Sequence, residues 1–118
     1  MSRKRQQHLD RVFSALGDPT RRAIVVTLAR RDATISELAA PFAMTLPAIS
    51  KHVAVLETAR LVSTRKEGRS RRCFLVVDAL ADVDEWIATC RTFWNNTLDS
   101  LAEYFESDTP PERNKKYK

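Results

Sequence analysis

The chain has 118 residues, 43% of them hydrophobic, a formal net charge of +5, and two cysteines, Cys73 and Cys90. That length suits one domain with its own core, while two cysteines supply neither a disulfide framework nor zinc-ligand spacing. No apolar run approaches the roughly 20 residues of a membrane span, and the charged start from Met1 to Asp10 lacks a signal-peptide apolar stretch, so a soluble cytoplasmic protein is expected.

The charge is segregated. Up to Val77 there are 15 Lys/Arg against 6 Asp/Glu, whereas Asp78 to Asp108 holds 1 Arg against 8 acids. A polyanion is therefore the expected partner of the first two-thirds of the chain.

In chain order, residues 1–8 read as a flexible basic arm. Leu9, Val12, Phe13 and Leu16 then recur at i, i+3, i+4 and i+7, one face of a short helix that Gly17 can terminate. Asp18 offers an N-cap with Pro19 at the first helical position, predicting a second helix to about Arg31 that buries Ile24, Val25 and Leu28. Thr34-Ile-Ser-Glu37 is a capping box opening a short third helix with Leu38 and Phe42, which Pro41 should distort or stop early. Thr45 caps a fourth helix with Pro47 in its first turn, reaching about Ala59. Ile49, Val53 and Leu56 share its apolar face, and Ser50, Lys51 and Ala54 lie opposite.

Beyond Ala59 the period drops to two. Leu61, Ser63 and Arg65 alternate, Lys66-Glu-Gly-Arg-Ser70 forms a turn, and Arg72 to Val77 reads as a second strand. This hairpin region carries Arg60, Arg65, Lys66, Arg69, Arg71 and Arg72 against Glu67 alone. A long helix follows over 80–106, with Leu80, Val83, Ile87, Cys90, Trp94, Leu98, Leu101 and Phe105 advancing by three or four. Trp86, Phe93 and Tyr104 widen the stripe beyond what one small domain covers, so a partner subunit is expected on it. Residues 107–118 read as a flexible tail.

Two short helices, the second with a small polar face, followed by a basic hairpin, make a winged helix-turn-helix. The fold class is mainly α with a β-hairpin wing, ordered α-α-α-α-β-β-α in a domain spanning 9–106. The major groove admits one α-helix, so Thr45 to His52 can present hydroxyl, ammonium and imidazole groups to base edges while the hairpin cations meet phosphates.

The segments Leu16-Gly-Asp-Pro-Thr-Arg21, Ile35-Ser-Glu-Leu-Ala39, Leu46-Pro-Ala-Ile-Ser-Lys-His-Val53 and Glu67-Gly-Arg-Ser-Arg71 together resemble the ArsR/SmtB family of bacterial winged-helix repressors over about residues 9 to 106. The resemblance implies recognition-helix contacts from Thr45, Pro47, Ala48, Ser50, Lys51 and His52, and wing contacts from Arg65, Lys66, Arg69 and Arg71. It also implies a homodimer joined through the terminal helices, with Leu9, Val12 and Phe13 meeting Leu80, Val83, Ile87, Cys90, Trp94, Leu98, Leu101 and Phe105. Its partner would be a palindromic double-stranded operator of its own operon. Metal-sensing members carry a cysteine pair at the position of Ser36 to Phe42, or carboxylates and histidines on the last helix. This chain has no thiol in the first region and no histidine from Asp78 to Asp108, so no metal and no cofactor is expected. A small-molecule effector of unidentified kind stays open. Arg60 stands where the family usually has a helix-ending glycine.

Other readings compete at several residues. His52 lacks a second metal donor in local register, and His8 reads as an ordinary arm residue. Cys73 and Cys90 are either small hydrophobes or a redox pair. The aromatics of the last helix pack a dimer or line an apolar pocket. Arg21 and Arg22 are set aside as structural, pairing with acids or capping helix ends. No phosphate loop, nucleophile elbow or paired base suggests catalysis. A regulator of transcription is the leading reading; a winged-helix module that binds a partner protein through its acidic aromatic helix is the other.

Overall fold

A computed structural model describes residues 3–108. The elements run α1 (Arg3–Ala15), α2 (Pro19–Arg30), β1 (Ala33–Thr34), α3 (Ile35–Ala39), α4 (Leu46–Thr58), β2 (Val62–Glu67), β3 (Ser70–Leu75) and α5 (Val77–Asp108). The chain divides into two compact units, one ending at Val83 and one beginning at Asp84, where a single domain over 9–106 is expected from sequence. Among the described residues no helix is long and apolar enough to cross a membrane.

Local signals set most boundaries. Asp18 caps α2, its carboxylate accepting from the Arg21 backbone N–H at 3.0 Å. The capping box at α3 closes in both directions: Glu37 N–H donates to Thr34 Oγ1 at 3.1 Å, and Thr34 N–H donates to Glu37 Oε1 at 2.9 Å. α3 ends at Ala39, before Pro41, whose ring would clash with the preceding turn.

Several elements differ from expectation. α1 begins at Arg3, so residues 3–8, expected as a flexible arm, are helical. Arg5 there donates to Asp82 Oδ1 at 3.3 Å, and His8 Nε2 lies 3.7 Å from Asp82 Oδ2. α5 begins at Val77 and runs through Asp108, so the second strand stops at Leu75 and part of the expected tail is helix; residues 109–118 lie outside the described residues. Ala33–Thr34 forms a strand that pairs antiparallel with β3, Ala33 opposite Cys73 and Thr34 opposite Arg72. The sheet order is β1-β3-β2, so the wing is anchored through its second strand to the residue that caps α3.

The core of the first unit gathers Val12, Ala15, Ile24, Leu28, Leu38, Ile49, Val53, Leu56, Leu61, Val62 and Cys73, all buried. This corrects two expected dimer contacts. Val12 is 0% exposed and Leu9 5% within the single chain, because α1 turns this face onto its own domain, while Phe13 is 39% exposed. Leu80 and Val83 also pack, partly buried, against this core.

α4 ends in a Schellman arrangement: Arg60 N–H donates to Glu57 O at 2.9 Å and Leu61 N–H to Leu56 O at 2.9 Å. Arg60 must then sit at φ 63°, the left-handed region that suits glycine. The side chain at that position is exposed, so its conformational cost is not recovered by burial. Replacing Arg60 with glycine is expected to stabilise the fold by about 1 kcal/mol, the left-handed penalty of a β-carbon. Urea unfolding should show a higher midpoint at unchanged slope; an unchanged or lower midpoint contradicts this.

Candidate nucleic-acid interface

The interface is built on the amphipathicity of α4. Ile49, Val53 and Leu56 are 0%, 2% and 0% exposed, and each such side chain contributes about 1.5–3 kcal/mol on burial. That fixes the rotation of the helix and turns Pro47, Ser50, Lys51 and Ala54 to solvent. Thr45 caps the helix, its Oγ1 accepting from Ala48 N–H at 3.2 Å, and Ala48 is half-buried. The first turn therefore faces outward, as a groove-inserting helix requires.

His52 leaves this strip. Its ring is half-buried against the start of α2, where Arg21 Nη1 lies 3.3 Å and Asp18 Oδ2 3.8 Å from Nδ1. Arg21 also donates through Nε to Ala15 O at 2.6 Å and through Nη2 to Ser14 O at 3.4 Å, while Arg22 Nη1 donates to Leu16 O at 2.8 Å. Both arginines thus cap the carbonyl end of α1, and Arg21 additionally reaches the recognition helix. The Arg21 backbone N–H holds the Asp18 carboxyl below its usual range, with the Arg21 charge adding to this and desolvation opposing it. Sequence reasoning set Arg21 aside as structural; the segment Gly17-Asp-Pro-Thr-Arg21 gave no signal that it meets a residue 31 positions away.

The wing cations fall into two sets. Arg72 is bound by Glu67, with Nε to Oε2 at 3.0 Å and Nη2 to Oε1 at 3.0 Å, and its Nη1 lies 3.7 Å from Asp32. The Arg72 hydrogen bonds lower the Glu67 carboxyl below its usual range, and the same contact raises the guanidinium. Arg71 donates to Thr64 Oγ1 and stands 4.0 Å from Glu57; Thr64 Oγ1 in turn donates to Glu57 Oε2 at 2.8 Å, linking the wing to α4. Arg65 lies over the Phe74 ring at 4.8 Å, a cation–π contact that leaves the group exposed. Lys66 and Arg69 are exposed and make no hydrogen bond or ion pair among the described residues. Gly68 at φ 62° opens the two-residue turn between Glu67 and Ser70, leaving Arg69 at the tip.

Comparison with known proteins places this helix and wing in a family. Residues 18–64 match the family of bacterial regulatory proteins described as the arsR family. The chain is 39% identical over 103 residues to the HTH-type transcriptional regulator Rv2034 of Mycobacterium tuberculosis, covering 84% of this chain and 90% of that protein. The chain belongs to the ArsR family.

The transcriptional repressor SdpR of Bacillus subtilis is 33% identical over 79 residues, covering 67% of this chain and 88% of that protein. A solved ArsR family transcriptional regulator superposes with a TM-score of 0.72 at 41% identity, over 76% of this chain and 93% of that one. A second, from Rhodococcus sp. RHA1, gives 0.69 at 29% identity, over 84% and 93%. This ArsR-family chain is thus a winged-helix, DNA-binding regulator of transcription, and the protein-interaction alternative is not favoured. Among the described residues no group of three or more His, Cys, Asp or Glu is placed to hold a metal ion.

Cys73 lies in the core at 0% exposure, and burial, with the Glu57 carboxylate adding to it, pushes its thiol up to about 11; Cys90 is exposed. A thiolate-directed reagent at neutral pH should therefore leave Cys73 unmodified until the protein is unfolded. Rapid labelling of native Cys73, read by mass spectrometry, contradicts this. On the wing, Arg69→Ala and Lys66→Ala should each weaken DNA binding and flatten the log–log salt dependence by about 1. Arg72→Ala should leave that slope unchanged and act on wing stability instead, because its guanidinium is already occupied. Filter-binding titrations at several salt concentrations check both.

Proposed function

We propose that this regulator is a homodimeric repressor whose two α4 helices occupy successive major grooves of a palindromic operator, including one in its own operon. Repression follows from excluding polymerase. Half-sites would be spaced by about 34 Å, one helical turn, or a multiple of it. Thr45, Pro47, Ala48, Ser50 and Lys51 would face the bases, with Arg65, Lys66, Arg69 and Arg71 on phosphates. The reading of a cytoplasmic protein accords with this role.

The observation that carries the dimer is the apolar surface of α5. Phe93, Trp94, Leu101, Tyr104 and Phe105 are 72%, 59%, 47%, 61% and 58% exposed. Exposed apolar surface of this extent marks an interaction site, and helical spacing on one long helix suits a second helix of the same kind. The proposed dimer contacts are Phe13 on α1 and, separately, Ile87, Cys90, Trp94, Leu98, Leu101 and Phe105 on α5. Leu9, Val12, Leu80 and Val83 serve the domain's own core.

Selection of bound sequences from random duplexes with the purified protein tests the function directly. An inverted repeat is expected; equal weak retention of all sequences would sink the reading. Releasing the operator with metals, thiol oxidants or apolar ligands would then identify the class of any effector. The double variant Trp94→Glu with Leu101→Glu should remain helical by circular dichroism. It should run as a monomer in light scattering and lose at least tenfold in operator affinity, since both half-sites are no longer held together.

A further inference from the structure

The contact between Arg21 and His52 determines more than the pose of a side chain. A guanidinium has five N–H donors and no acceptor. At 3.3 Å, Arg21 Nη1 can donate to His52 Nδ1 only if that nitrogen carries a lone pair. A neutral imidazole that accepts at Nδ1 carries its proton on Nε2. Asp18 Oδ2 also faces Nδ1, but at 3.8 Å it lies beyond hydrogen-bond distance, whereas Arg21 Nη1 lies within it. Arg21 is itself held in place by its bonds to the carbonyls of Ala15 and Ser14, so it is a fixed donor. The ring is thereby oriented from one side, and Nε2, which makes no hydrogen bond or ion pair among the described residues, is left as its remaining donor. The side chain keeps 21% of its surface exposed.

We propose that Arg21 is a positioning residue that fixes the His52 tautomer, so that His52 Nε2–H donates to a backbone phosphate of the bound duplex at the seam between α4 and the start of α2. This rests on the DNA-binding reading above and names a contact within it. A phosphate suits the place better than a base edge. His52 lies off the exposed strip of Ser50, Lys51 and Ala54, and the neighbouring Arg21 guanidinium adds positive charge. The contact therefore sets the depth and angle of α4 and carries no sequence information of its own.

The test uses the full-length protein and its selected operator. In the free protein, long-range 1H–15N spectra of the imidazole should show the proton on Nε2 of His52, and Arg21→Met should shift the ring toward a mixture of tautomers. In DNA binding, His52→Gln, whose amide can place a donor near the Nε2 position, should stay within about threefold of wild type. His52→Asn, which reaches only the Nδ1 position, should lose roughly tenfold, the size of one hydrogen bond to a charged group. That loss should be the same for every single-base variant of the operator, and Arg21→Met should cost little further affinity once His52 is Asn. Thermal unfolding of each variant separates a folding defect from a contact defect. A proton found on Nδ1, equal affinities for the Gln and Asn variants, or a loss that depends on base sequence overturns the proposal while leaving the regulator reading intact. A wild-type chain without selective binding overturns both.

Discussion

The constraint on which the rest depends is the burial of one side of α4. Ile49, Val53 and Leu56 lie wholly inside the domain, so the helix cannot rotate without exposing three large aliphatic side chains. Everything presented to the exterior by that helix follows from this. Small residues on the outer strip, Ser50 and Ala54, keep the backbone approachable, and Lys51 adds a charge without bulk close to the axis. The short α3, halted before Pro41, leaves a tight connection to Thr45, whose hydroxyl starts α4 in the open.

Rotation alone does not fix the axial position of a helix, and here polar groups at its middle and near its C-terminal end supply the difference. At the middle, His52 meets Arg21 and Asp18; near the C-terminal end, Glu57 accepts from Thr64 and stands beside Arg71. Such half-exposed pairs contribute little stability individually. Their value is geometric: they relate α4 to the start of α2 on one side and to the wing on the other. A change in either contact would tilt the recognition surface without unfolding the domain.

The wing follows the same logic. Five cations in a short hairpin repel one another, and the fold divides them by role. Arg72 is neutralised by Glu67 and Asp32 and secures the strand where β1 joins it; Arg71 ties the wing to α4; Arg65 rests on Phe74; Lys66 and Arg69 remain at the tip. Positive charge is thereby concentrated where a polyanion can reach it and is compensated near the body of the domain. Among the described residues from Asp84 onward, acids outnumber Arg91, the one base there, so the cationic surface belongs to the first unit.

The sequence by itself determined the order and type of nearly all the elements, the caps at Asp18, Thr34 and Thr45, the stop before Pro41 and the outward face of α4. These depend on residues within one or two turns of each other, where periodicity and capping chemistry act. The family resemblance marks Arg60 as standing in place of a helix-ending glycine, and the structure shows that it takes the left-handed conformation. What only the tertiary structure decided involves partners distant in the chain. The two-residue strand Ala33–Thr34 exists because β3 offers it a ladder. Residues 3–8 form helix ahead of the apolar pattern, with Arg5 and His8 meeting Asp82. Leu9 and Val12 belong to the domain core, although their spacing alone fits a dimer stripe equally well. Arg21 and His52 lie 31 residues apart, and no local pattern announces a bond whose energy depends on three helices being packed first.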